Sequence, residues 1–196
     1  MAPTEVALQI TTQSQVIQTP SQTMNPPKIT LNGTAIAQPK GSFCSGFQVV
    51  VIDPTLDITS PASIRSNNFL FLYNDNGNWM TYYSGMYNAM KRQILTSGNT
   101  SQQIVLIASF GMDVNAAPTP EALELLLDLG AGPQLQQWLT TVDIGSQSGD
   151  WVGFPGNYVL VGQPQYGFGE GTEAFQRASN SPVSTTVDAT LTNFGS

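Results

Sequence analysis

Apolar residues fall in short alternating or continuous runs separated by turn-forming clusters, and helical spacing appears only between some of them. Val6, Leu8 and Ile10 recur at every second position, the period of a strand with one buried face. Residues 28–37 place Asn32-Gly33 between two alternating runs. Asn and Gly both tolerate positive φ, so this pair predicts a β-hairpin closed by a type I′ turn. Residues 47–52, Phe-Gln-Val-Val-Val-Ile, form a nearly continuous β-branched run and read as a buried central strand. Residues 69–72, Phe-Leu-Phe-Leu, are a further strand candidate. After a turn cluster at 74–78, Tyr83, Met86, Tyr87, Met90 and Ile94 share one helical face. Lys91 and Arg92 sit where a helix C-terminus favours cations, and the Met and Tyr stripe reads as core.

The second half repeats the alternation of strand and helix. Residues 104–108, Ile-Val-Leu-Ile-Ala, predict a strand, and residues 119–130 predict a helix with unusually clear punctuation. Thr119 can cap it, Pro120 occupies the first turn, and Gly130 is placed for a left-handed exit. Trp138 lies in a helical Leu-Gln-Gln-Trp-Leu pattern and is expected in the core. Residues 158–162 predict another buried strand, and a glycine-rich turn then leads to a short helix at 172–176, capped by Thr172. Residues 183–191 alternate again and are expected to pair as a final strand. Strands before and between helices, joined by long connections, predict an α+β domain with mostly antiparallel sheets.

This ordered succession, from the hairpin through residues 47–53, 104–108, the Leu-Asp-Leu-Gly helix ending and residues 158–162, resembles the interleukin-like EMT inducer domain of certain secreted cytokine-like proteins. The resemblance covers about residues 24–192. It implies two curved, mostly antiparallel sheets packed as a sandwich-like core with flanking helices. It also implies a binding role, with carbohydrate as the ligand class. Animal members carry disulfide-bonded cysteines, whereas this chain has only Cys44, so their cytokine-like activity is not carried over. The domain is expected to span residues 24–196.

Residues 1–23 then form a polar N-terminal arm. Two readings of it stand side by side: a flexible tail, or a strand that adds to a neighbouring subunit. The alternation at Val6, Leu8 and Ile10 leads to the expectation of a homo-oligomer, or a place in a larger assembly, built through an arm dispensable for folding.

Composition narrows the chemistry. With no histidine, the usual general base and the commonest metal ligand are missing, and one cysteine makes neither an internal disulfide nor a thiolate metal site. A carboxylate pair could still hydrolyse glycosides, but no recognised pair supports it, so the chain reads as a non-enzyme with no cofactor. Thirteen acidic residues outnumber six scattered basic ones, which argues against nucleic-acid partners. No run of eighteen apolar residues exists, so membrane insertion is not expected. Charged residues make up only 10% of the chain. Ser, Thr, Asn and Gln supply roughly a third, against a usual charged fraction of about 25%. Such a neutral polar surface, with no signal peptide visible at the N-terminus, leads to an expected location outside cells or on a virion surface.

Sugar recognition needs an aromatic face for the CH side of the ring and amides or carboxylates for its hydroxyls. The candidate carbohydrate-binding residues are therefore Asn74, Asp75, Asn76 and Trp79, then Asp113 and Asn115, then Trp151 and Tyr166. Trp79 and Trp151 serve equally well as core residues. The Asn- and Asp-rich turns lack the acidic spacing of a calcium loop, and no metal site is expected. The glycines of residues 166–172 have the wrong spacing for a dinucleotide loop and read as a turn. Two functions follow: a lectin-like module displayed on a secreted assembly or phage particle, or a purely structural component of a virion, tail or other extracellular particle.

Overall fold

The computed structural model describes residues 4–14, 26–38, 46–71, 91–92, 103–110, 120–146, 156–177 and 183–193. Its strands are β1 (Thr4–Ser14), β2 (Lys28–Leu31), β3 (Thr34–Ala35), β4 (Gly46–Ile52), β5 (Ile64–Phe71), β6 (Ile104–Phe110), β7 (Gly156–Gly162), β8 (Thr172–Arg177) and β9 (Val183–Asn193). Two helices, α1 (Pro120–Asp128) and α2 (Pro133–Ser146), lie between β6 and β7. One sheet has the order β3-β2-β1-β9 and the other β5-β4-β6-β7-β8. Every pairing between named strands is antiparallel. The result is a sandwich-like arrangement of two antiparallel sheets with few helices.

The five-stranded sheet is apolar on both faces, which explains the continuous runs in β4, β6 and β7. Val50, Ile52, Leu106, Ala108, Val159 and Val161 meet Val6, Leu8, Ile10, Ile29, Val187 and Leu191 of the other sheet. On the opposite face Phe47, Val49, Val51, Val105, Ile107 and Leu160 pack against Leu126, Leu129, Leu135 and Trp138 of the helical layer. Trp138 is core as expected, stacked on Tyr158 at 5.2 Å and edge-on to Phe47 at 6.1 Å. The predicted hairpin forms, with φ of 46° at Asn32 and 78° at Gly33, the signs that a type I′ turn requires. The α1 terminus is the one its sequence predicts. Gly130 has φ 93°, its N–H reaches the Leu127 carbonyl, and the Ala131 N–H reaches that of Leu126, which is the Schellman pattern.

Three expectations need correction. The first concerns the N-terminal segment, which is no separate arm over residues 4–14. β1 pairs with β9 along its whole length and with β2 from Leu8 to Thr11. The turn residue Asn32 holds it further, exchanging hydrogen bonds with Ala7 through its own N–H (2.8 Å) and its side-chain oxygen (2.9 Å). Val6, Leu8 and Ile10 are at most 2% exposed. Alternation announced a strand correctly, but the edge it needed lies in this chain, so the strand that carried the homo-oligomer expectation is already used.

The second correction is β8, predicted as a helix. Pairing with β7 at every residue from Thr172 to Arg177 overrides the helix-compatible sequence Glu-Ala-Phe-Gln. The third is β5, which begins at Ile64 rather than near Phe69. As an edge strand it turns polar straight after Ile64, with Arg65, Ser66, Asn67 and Asn68, so no buried alternation marks it. Lys91 and Arg92 are helical as expected, and the rest of that predicted helix lies outside the described residues.

Candidate functional site

Of the expected sugar-contacting residues, Asn74, Asp75, Asn76, Trp79, Asp113, Asn115 and Trp151 lie outside the described residues. Tyr166 is described, and it sits in the connection from β7 to β8. This connection is built from two tight turns. In the first, the Tyr166 N–H bonds the Gln163 carbonyl at 3.2 Å, with Pro164 second and Gln165 third at φ 71°. Proline at the second position and positive φ at the third are the marks of a type II turn, where glycine or asparagine usually takes the third place. A glutamine held there costs about 1 kcal/mol, so the surrounding contacts fix it.

The second turn runs from Gly167 to Glu170, closed by the Glu170 N–H on the Gly167 carbonyl at 3.0 Å, while the Glu170 carboxylate accepts from the Gly167 N–H. Between them stands Phe168, 56% exposed; among the described residues no other large apolar side chain is so exposed.

The loop is pinned from below by the link between α1 and α2. The Gly171 N–H donates to the Gly130 carbonyl (2.9 Å) and the Gly169 N–H to that of Ala131 (3.2 Å). The backbones lie so close that a Cβ on Gly130 would stand 2.5 Å from the Gly171 nitrogen. Beyond the loop, Glu173 locks β8 to the start of α2. Its carboxylate accepts from the N–H groups of Gly132 (3.0 Å), Gln134 (2.8 Å) and Leu135 (3.2 Å) and from the Tyr158 hydroxyl (2.8 Å). These are the unsatisfied amides of a helix N-terminus, where a negative charge is favoured. Burial, and then the Glu173 carboxylate beside it, push the Tyr158 phenol far above its ordinary range.

What the loop frames is a groove. Among the described residues β9 borders only β1 within its sheet, and near its start it approaches β8 and β7: the Thr185 hydroxyl donates to Gln176 of β8 and the Asn157 amide of β7 to the Val183 carbonyl. Toward Leu191 a cavity of about 240 Å³ lies between β9 and the loop. Val161, Ile104 and Leu191 form its apolar floor, and Gln163, Tyr166, Glu170, Thr172, Thr190 and Thr192 its polar wall. The side chains of Gln163, Tyr166, Thr172, Thr190 and Thr192 make no hydrogen bond to other described residues, whereas Glu173 and Tyr158 behind them are fully engaged. An apolar floor with a rim of uncommitted hydroxyl and amide groups is the composition of a small-molecule site.

No group of three or more His, Cys, Asp or Glu is arranged to hold a metal ion among the described residues. Among those residues, too, no helix is long and apolar enough to cross a membrane. No protein-family model matches the chain, and no curated protein is similar to it.

Sequence reasoning named Tyr166 but missed its neighbours. Glu170 belongs to a glycine turn whose spacing marks no site, Thr190 falls in the alternating run 183–191 expected as a strand, and Thr192 lies one residue beyond that run. A signal for the threonines is present: the outward positions of β9 repeat Thr186, Asp188, Thr190 and Thr192, all able to hydrogen-bond.

Proposed function

We propose that this chain is a non-enzymatic, lectin-like module of the interleukin-like EMT inducer type, and that its ligand site is the groove between Tyr166 and the Thr190–Thr192 end of β9. The observation that carries this reading is the convergence, around one small apolar floor, of Glu170 and five polar side chains, Tyr166 among them, that make no hydrogen bond to other described residues. Sugars present that pairing of an apolar ring face with a ring of hydroxyls, which amides and hydroxyls bind as donors and acceptors and a carboxylate binds as an acceptor. A volume near 240 Å³ is below the usual range of about 300–1,000 Å³ for drug-sized ligands, and it suits a single sugar ring. The fold is compatible with the resemblance read from the sequence, whose implied sheet curvature belongs to the same proposal. Display on a secreted assembly or a phage particle belongs to it as well.

Screening the whole chain against immobilised glycans tests the reading. Binding to one or a few neutral glycans, weakened about tenfold or more by Tyr166→Ala, is expected, since an aromatic contact contributes about 0.5–1.5 kcal/mol beyond its buried area. No binding to any glycan at millimolar protein removes the lectin reading and leaves that of a structural particle component.

A further inference from the structure

A second, shallower depression of about 630 Å³ adjoins the Tyr166 groove and shares Thr172, Ala189 and Thr190 with it. It lies over the outer face of the four-stranded sheet. Its floor is small: Ala7 pairs directly with Thr190, and a Cβ on Gly33 would have nothing within 4 Å. Polar groups edge it, with the Gln9 amide donating to the Asp188 carboxylate at 2.9 Å. Among the described residues, neither depression is lined by Lys or Arg, while each carries one carboxylate, Glu170 in the groove and Asp188 on the sheet face.

From this continuity and this charge we infer that the ligand is a glycan chain rather than a single sugar. It is also uncharged or cationic, with one unit in the Tyr166 groove and the next over Ala7 and Asp188. The inference rests on the proposed carbohydrate site and adds to it the length and charge of the ligand. The shared threonines give the geometric basis: a unit leaving the groove past Thr190 has the sheet face as its next polar surface. Two carboxylates facing a uronate or sulfated chain without a cation would repel it, whereas neutral hydroxyls can donate to both.

The test measures the affinity of the whole chain for soluble homologous sugars of one to four units. The gluco-, manno- and N-acetylglucosamine β1,4-series are used, with oligogalacturonate as the anionic probe. Affinity rising at least tenfold from one unit to three, with no measurable binding of oligogalacturonate, is the expected result. Ala7→Trp fills the sheet-face depression and stands across the strand pair from Thr190, and it should lower the affinity for three-unit chains at least tenfold more than that for a single unit. Gln9→Ala, a milder change at the same place, should reduce the gain. If a single unit binds and longer chains bind no better, or if Ala7→Trp leaves the length dependence intact, the inference is wrong while the site stands. Oligogalacturonate binding as tightly as a neutral chain overturns the charge argument, and failure of every sugar at every length overturns the site with it.

Discussion

Replacing Glu173 by Ala removes one carboxylate that serves three backbone N–H groups and a buried phenol at once. The Tyr158 hydroxyl loses its partner in a residue that is 0% exposed, and an unsatisfied buried hydroxyl costs about 1–3 kcal/mol. The α2 N-terminus loses a favourably placed anion, worth about 0.3–1 kcal/mol. Together these give a loss of roughly 1–4 kcal/mol, a large part of the 5–15 kcal/mol typical of a whole domain. For a chain of this length each kcal/mol lowers Tm by about 2–4 °C, so a fall of roughly 3–16 °C is expected. Urea unfolding followed by circular dichroism provides the free energies. Repeating the substitution in a Tyr158→Phe background isolates the phenol, because no hydroxyl is then left stranded. There Glu173→Ala should cost about 1–2 kcal/mol less than in the native chain. A loss under about 0.5 kcal/mol, or equal losses in the two backgrounds, would refute the view that this carboxylate joins β7, β8 and α2.

Three further outcomes follow from the fold. Removing residues 1–14 should leave the chain unfolded by circular dichroism, since burying Val6, Leu8 and Ile10 supplies about 1.5–3 kcal/mol each; a folded truncation would return this strand to the role of a detachable arm. Gly162→Ala should cost about 3 kcal/mol in the same urea assay, because its Cβ would fall 1.9 Å from the Leu129 carbonyl oxygen at the end of α1; an unchanged midpoint would contradict that packing. Tyr158 gives a pH dependence of definite sign. Its phenol is raised in the folded chain and ordinary, near 10, in the unfolded one. Its share of the stability is therefore complete below about pH 10 and lost above it, by about 1.4 kcal/mol per pH unit. The stability gap between the native chain and Tyr158→Phe should shrink as pH rises past 10, and a constant gap would count against the buried phenol.

Strands were legible wherever one or both faces are buried. The continuous runs of β4, β6 and β7 and the Asn32-Gly33 turn have local causes, and so has the glycine exit of α1. Residues whose state depends on distant partners were not legible. β1 shows its period in three residues, but nothing local says that β9, nearly 180 residues away, completes its sheet. Thr172 to Gln176 has sequence compatible with a helix, and pairing with β7 decides otherwise. The groove has the same character. Tyr166 could be chosen for its aromatic ring, but Thr190 and Thr192 reach it only because β9 leaves β8 near Thr185 and diverges past the loop. The Asn- and Asp-rich turns at 74–78 and 113–115 are candidates on chemistry alone, and they lie outside the described residues.

The central claim, that ligand binds between the Tyr166 loop and β9, is tested most directly by amide chemical-shift mapping. The isotope-labelled chain is titrated with the strongest neutral glycan from the screen. The account predicts shifts concentrated at residues 163–172 and 189–192, extending to Ala7, Gln9 and Asp188 when the glycan is longer than one unit. Saturable shifts confined to other parts of the chain, with these residues unmoved, would contradict it.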